Sequence, residues 1–132
     1  MTTAPAKLHR VVVVGAGFGG LEATFGLRGA PVSITLIDRR NHHLFQPLLY
    51  QVATASLATS EIAWPIRYLL RDRPEVTTLF ATVTGVDPNT KQVLLDDCDA
   101  VPYDTLVLAT GARHAYFGHD EWEPFAPGLK TL

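Results

Sequence analysis

Four consecutive valines lead directly into the pattern Gly15-x-Gly17-x-x-Gly20, and no other feature limits the fold of this chain as strongly. A valine run without alternation predicts a strand over 9–14 that is buried on both faces of a parallel sheet. Gly15 permits a sharp turn, Gly17 lets backbone N–H groups approach a pyrophosphate, and Gly20 lets a helix lie close to the strand. The pattern therefore predicts a strand that ends in a phosphate-binding turn.

The segments after the glycines extend this pattern. Residues 19–29 predict a helix whose N-terminus offers unpaired N–H groups and partial positive charge to phosphates. Residues 32–37 predict a second strand that ends at Asp38, 18 residues after Gly20. A carboxylate there can accept hydrogen bonds from ribose hydroxyls, so the whole is typical of a dinucleotide-binding βαβ unit. The alternative is a glycine-rich turn that binds nothing.

The next part of the chain is harder to interpret. Residues 42–57 are apolar but show no clear period. A second helix is expected to begin at Ser60, with a distorted start because Pro65 removes one of its hydrogen bonds. The buried stripe of this helix would consist of Ile62, Ile66, Leu69 and Leu70.

Strand patterns then return. A third strand is expected over 76–80, and two further strand segments, 81–86 and 92–95, flank a strong turn signal at 87–91. This predicts an antiparallel hairpin or meander rather than a helix, and residues 103–111 predict another parallel strand ending at a Thr–Gly turn. The predicted fold class is α/β, a Rossmann-like parallel sheet with a β-meander crossover.

Composition excludes several classes of protein. A chain of 132 residues with 47% hydrophobic and 18% charged residues fits one packed domain. A net charge of −2 without a Lys/Arg run gives no argument for nucleic-acid binding. Cys98 is the only cysteine, so no intrachain disulfide or cysteine-cluster metal site can form. Without a signal-peptide pattern or a run of about 18 apolar residues, a soluble domain in a reducing compartment is expected.

Two motifs resemble known flavoproteins. The meander and the strand ending Ala109-Thr110-Gly111 are similar to the FAD domains of pyridine-nucleotide-dependent flavoprotein reductases, which favours FAD over NAD. Residues 38–54, Asp-Arg-Arg-Asn-His-His-Leu-Phe-Gln-Pro-Leu-Leu-Tyr-Gln-Val-Ala-Thr, followed by Ser-Glu-Ile-Ala-Trp-Pro-Ile-Arg at 60–67, are more specific. They resemble type II NADH:quinone oxidoreductases, which are single-subunit, non-proton-pumping NADH dehydrogenases, and the resemblance covers nearly the whole chain.

The resemblance implies a cofactor site. The FAD pyrophosphate would lie on the glycine loop, the adenosine ribose on Asp38, the adenine on the backbone around Val83, and the flavin beside the 109–111 turn and residues 45–53. The residues assigned to the cofactor are Gly15, Ala16, Gly17, Phe18, Gly19, Gly20, Asp38, Arg39, Val83, Ala109, Thr110 and Gly111. No catalytic side chain is assigned, because the cofactor supplies the chemistry. No metal ligand is assigned, because no third ligand lies near His42 and His43 in the sequence.

The same resemblance implies a division of the chain and a function. Residues 1–111 would form the N-terminal segment of the FAD-binding domain, and residues 112–132 a linker towards an NADH-binding domain that is absent here. In that family the final strand and helix of the FAD domain return after the NADH domain, so the fold would be incomplete. The parent enzyme would pass hydride from NADH to FAD and electrons to a quinone at the cytoplasmic face of the cell membrane, and this chain alone would have little turnover.

Other interpretations stay open. The chain could be a nucleotide-binding module without turnover, a non-functional truncated product, or the FAD half of a ferredoxin-, rubredoxin- or sulfide:quinone-type reductase. Sulfide:quinone reductases need redox cysteines; one of theirs could lie beyond residue 132, but Cys98, between Asp97 and Asp99, is in the wrong context to serve as another. For His42 and His43, a solvated-loop role is expected rather than hydrogen bonding to the flavin.

Overall fold

The computed structural model of the protein describes residues 7–97 and 99–132; the expectations for Cys98 and for the first six residues lie outside this part. The strands are β1 (His9–Val14), β2 (Val32–Asp38), β3 (His42–Leu44), β4 (Ala63–Pro65), β5 (Val76–Phe80), β6 (Val83–Asp87), β7 (Gln92–Leu95), β8 (Ala100–Pro102) and β9 (Thr105–Leu108). The α-helices are α1 (Phe18–Gly26), α2 (Leu49–Ala53) and α3 (Ile66–Leu69). Short 3-10 turns cover Gln46–Leu48, Thr59–Glu61 and Asp120–Trp122. None of the described helices is long and apolar enough to cross a membrane.

A four-stranded parallel sheet has the order β5-β2-β1-β9, as the sequence predicted for a Rossmann-like fold. Val14 is opposite Ile37 of β2 on one side and Leu108 of β9 on the other. After β1, the chain passes through α1 to β2 on one side of β1, and it later returns to pair β9 with the other side of β1. In open α/β sheets, ligands bind beyond the carboxyl ends of the strands at such a switch point.

The valine run is buried on both faces, as predicted. Val11 and Val13 pack with the helical layer of α1 and α3, whereas Val12 and Val14 pack with the antiparallel meander on the other face. Because side chains alternate between the two faces of a strand, a strand between two apolar layers needs valine at every position.

The meander is formed by β6, β7 and β8, which pair in antiparallel order. The turn between β6 and β7 includes Lys91 at φ 52°, in the left-handed region. Val93 and Leu95 are buried against the parallel sheet. The predicted β-meander crossover is confirmed.

The prediction of a helix beginning at Ser60 is wrong. A 3-10 turn ends at Glu61, β4 then pairs antiparallel with β3, and α3 begins only at Ile66. Pro65 lacks an N–H donor and forces the preceding Trp64 towards an extended conformation, so a strand replaces the first turn of the expected helix. Ile62, Ile66 and Leu70 are nevertheless buried, and Leu69 is half-buried.

Candidate functional site

The glycine loop follows the end of β1 at the switch point. Gly15 adopts φ +101° and donates its N–H to the carbonyl of Ile37 at 2.8 Å. A Cβ at Gly15 would lie 2.8 Å from the carbonyl carbon of Ala109 and closer still to its oxygen. Glycine is therefore required here both for the left-handed turn and for the close approach of the chain after β9.

The other two glycines of the motif face different surroundings. A Cβ at Gly20 would overlap the carbonyl of Gly15, so α1 packs directly on the loop that precedes it. A Cβ at Gly17 would meet no atom of residues 7–97 or 99–132 within 4 Å. The loop thus leaves open space at Gly17, the position predicted to face a pyrophosphate.

The N-terminus of α1 has backbone donors without a partner inside the helix. Gly17 is the N-cap residue, without a side-chain cap, and the first hydrogen bond of the helix runs from the N–H of Leu21 to the carbonyl of Gly17 at 3.0 Å. The N–H groups of Phe18, Gly19 and Gly20 precede this bond and have no acceptor within the helix. Together with the helix dipole they form a site suited to an anionic group.

Asp38 ends β2 beside the loop, where the sequence predicted a ribose ligand. Its Oδ2 accepts the N–H of Ala16 and its Oδ1 the N–H of Arg40, both at 2.7 Å. A carboxylate offers about four acceptor positions, so each oxygen keeps one for a further donor. Asp38 therefore fixes the glycine loop and can still accept hydroxyl groups, while Arg39 next to it is exposed.

His43 contacts the glycine loop, which the sequence did not predict. Its Nδ1 lies 2.9 Å from the carbonyl oxygen of Ala16, and its ring packs edge to face with Phe18 at a centroid distance of 5.0 Å. The solvated-loop role expected for this residue is wrong, because the hairpin of β3 and β4 brings it to the loop. His42 is different: its Nδ1 lies 3.3 Å from Oδ1 of its neighbour Asn41. No local sequence signal distinguishes the two histidines.

The remaining predicted site residues lie at the same sheet edge or just beyond it. The N–H of Ala81 donates to the carbonyl of Asp38 at 3.1 Å, and Val83 begins β6 two residues later. The N–H of Ala109 donates to the carbonyl of Val14 at 2.8 Å, which places the start of the 109–111 turn against the glycine loop. Thr110 and Gly111 are exposed, and Gly111 adopts φ +75°.

The segment 112–132 is largely exposed. The hydroxyl of Tyr116 donates to the carbonyl of Ala126 at 2.6 Å, and the rings of His119 and Trp122 stack at 4.2 Å. Phe117 and Phe125 project outward with 91% and 88% exposure. The division into a domain over 1–111 and a linker over 112–132 stays a prediction.

A parallel sheet with a glycine loop at its switch point, an acid at the end of the second strand and an antiparallel meander defines a dinucleotide-binding domain. The family model described as pyridine nucleotide-disulphide oxidoreductase matches residues 9–131, and the chain belongs to this family.

The predicted resemblance to type II NADH:quinone oxidoreductases is confirmed. The chain is 48% identical to type II NADH:quinone oxidoreductase Ndh of Mycobacterium tuberculosis over 99% of its own length. Among solved structures it matches NDH2 of Plasmodium falciparum in complex with NADH (TM-score 0.79, 24% identity, 89% of this chain and 25% of that chain). It also matches the sulfide:quinone oxidoreductase of Aquifex aeolicus (TM-score 0.77, 28% identity, 82% of this chain and 25% of that chain). The chain spans 29% of the length of the mycobacterial relative.

These findings bear on the predicted cofactor. The chain's membership in this family supports the predicted cofactor, FAD. NADH is named as the substrate of the mycobacterial relative.

Proposed function

We propose that this chain binds FAD at the carboxyl edge of its parallel sheet. It would be the FAD-binding portion of a flavoprotein oxidoreductase that passes hydride from NADH to FAD and electrons on to a quinone. The observation that carries the proposal is the open N-terminus of α1. Its first N–H groups have no acceptor within the helix, and a Cβ at Gly17 beside them would meet no atom of the described residues within 4 Å. Backbone donors at a helix N-terminus with open space beside them suit a pyrophosphate.

The residues around this position suit the other parts of FAD. Asp38 keeps an acceptor position on each oxygen for the ribose hydroxyls, and the turn after β9 lies against Gly15. FAD, when bound, supplies a two-electron carrier between a nicotinamide and a quinone. The residues proposed to hold it are Gly15, Ala16, Gly17, Phe18, Gly19, Gly20, Asp38, Arg39, Val83, Ala109, Thr110 and Gly111.

The chain itself contributes binding and orientation rather than acid, base or nucleophilic groups. These 132 residues contain one GxGxxG pattern, which we assign to FAD, and NADH would need a site of its own. We therefore expect the 132-residue chain to hold FAD with little NADH:quinone turnover. For the whole protein, we propose NADH and a quinone as substrates and a peripheral position at the cytoplasmic face of the membrane.

Flavin content tests the proposal directly. The 132-residue chain is purified, the flavin is released by denaturation, and FAD is quantified by absorbance and chromatography. Near-stoichiometric FAD, or tight rebinding of FAD by the apoprotein, supports the proposal. A folded chain that binds neither FAD nor ADP-ribose contradicts it.

A pair of glycine variants locates the site. Gly17→Val places a branched side chain beside the N-terminus of α1, and Gly26→Val does the same at the C-terminus of this helix. Both positions are open to a Cβ, so both variants should fold. FAD affinity should fall at least about tenfold in Gly17→Val and stay near the wild-type value in Gly26→Val, since one lost phosphate contact is worth more than about 1.4 kcal/mol.

The likeness to the Aquifex sulfide:quinone oxidoreductase supports a second candidate, the FAD half of a related quinone reductase. Sulfide oxidation needs paired redox cysteines, and Cys98, between Asp97 and Asp99 in the sequence, is in the wrong context to serve as one of them. The 48% identity to a type II NADH:quinone oxidoreductase favours the first candidate.

A further inference from the structure

We propose that His43 is a positioning residue that orients the glycine loop for phosphate binding, an inference that rests on the proposed FAD site. Its Nδ1 lies 2.9 Å from the carbonyl oxygen of Ala16, 27 residues away in sequence. A carbonyl oxygen only accepts hydrogen bonds, so Nδ1 carries a proton and donates it to this bond. The side chain is half-buried, which limits competition from water.

The effect of this bond follows from the geometry of the peptide group. The peptide that joins Ala16 to Gly17 is trans, and in a trans peptide the C=O and the N–H point to opposite sides. Because His43 holds the Ala16 carbonyl, the N–H of Gly17 is directed away from His43 and the hairpin that carries it. The Gly17 donor is therefore held in one orientation and left available to a ligand.

A second side chain holds the preceding peptide. Oδ2 of Asp38 accepts the N–H of Ala16 at 2.7 Å, so the two peptide groups on either side of Ala16 are fixed from two different elements, β2 and β3. Ala16 itself is buried. A loop ordered before binding avoids the loss of backbone entropy that a mobile loop would suffer when phosphate binds.

The ring of His43 has a second contact that the test must separate from the hydrogen bond. It packs edge to face on Phe18, which also packs on Phe45 at a centroid distance of 5.6 Å. His43→Phe keeps an aromatic ring beside Phe18 but has no donor. His43→Asn loses the ring but keeps a donor, because Nδ2 of asparagine is separated from Cβ by the same number of bonds as Nδ1 of histidine.

FAD affinity is measured by titrating the apoprotein of each 132-residue variant with FAD and following flavin fluorescence. We expect His43→Phe to bind FAD about tenfold more weakly than the wild type, because the Ala16 carbonyl loses its donor. His43→Asn should restore the affinity to within about threefold of the wild type. His42→Ala is the matched control, and its affinity should be unchanged.

A measurement without FAD distinguishes failure of this inference from failure of the proposed function. In the apoprotein, 15N NMR of the His43 ring should report a protonated Nδ1. The backbone amide of Gly17 should shift and exchange faster in His43→Phe but not in His43→Asn. An unchanged Gly17 amide in His43→Phe overturns the inference, as does an unchanged affinity in that variant where the wild type binds FAD. If the wild type shows a protonated Nδ1 and the Gly17 amide changes only in His43→Phe, but the wild type binds no FAD, the proposed function is contradicted and the positioning role is supported.

Discussion

Replacing Gly20 with alanine should destabilise the chain by about 2 kcal/mol. A Cβ at Gly20 would lie 2.8 Å from the carbonyl carbon of Gly15, closer still to its oxygen, and 3.4 Å from Cγ1 of Val13. The main obstruction is backbone, so relief requires α1 to move away from the loop, at the upper end of the about 1–3 kcal/mol that overpacking costs. The higher helix propensity of alanine offsets about 1 kcal/mol of this cost.

Urea unfolding followed by far-UV circular dichroism measures the effect. With slopes of about 1–3 kcal/mol per molar urea, the midpoint of Gly20→Ala should fall by about 1 M. Gly26→Ala is the control on the same helix. A Cβ there would meet no atom within 4 Å in the part of the chain that the structure describes, so this variant should be at least as stable as the wild type. A Gly20→Ala midpoint equal to that of the wild type would refute the described contact between α1 and the Gly15 carbonyl.

Two further predictions concern arginine side chains whose hydrogen bonds join residues far apart in sequence. Arg73 is buried, and its Nη2 donates to the carbonyl of Thr24 at 3.0 Å. Arg73→Met should therefore lower the free energy of unfolding in urea by about 1–3 kcal/mol. Arg71 is exposed, and Arg71→Met should lower it by at most about 0.5 kcal/mol. The side-chain hydrogen bonds from Arg10 hold the pKa of Asp104 well below its usual range. Because the folded pKa is the lower one, this stabilisation is present at neutral pH and lost as the pH falls below about 4. Asp104→Asn should therefore be less stable than the wild type at pH 7, and the difference in urea midpoint should shrink by pH 3; a constant difference would contradict this role.

Local patterns predicted most strands because burial dictates their composition. The valine run could only suit a strand between two apolar layers, and the Asp87-to-Lys91 turn separated two strands that pair. The prediction of a helix from Ser60 was wrong because it also used only the local burial pattern. Apolar residues spaced four apart, such as Ile62 and Ile66, are also buried in a turn followed by a strand and a short helix, and the pattern carries no information about the partner strand β3.

At the candidate site, too, the sequence predicted local features but not contacts between distant residues. The spacing of Gly15, Gly17 and Gly20 predicted the turn and the helix N-terminus. Both features depend only on the backbone conformations of a few neighbouring residues. The partners of this loop could not be predicted. Asp38 and His43 reach Ala16 across 22 and 27 residues, through strands that pair with other parts of the chain.

The sequence by itself therefore determined the parallel sheet, the meander and a glycine turn at the end of β1 that leads into α1. These features follow from side-chain burial and from the conformational freedom of glycine, both of which are local properties. Only the tertiary structure decided that the carbonyl of Gly15 supports α1, that Ala109 approaches the loop, and that His43 rather than His42 holds it. Those contacts depend on the register of paired strands, and a shift of one residue would have turned the other histidine towards the loop.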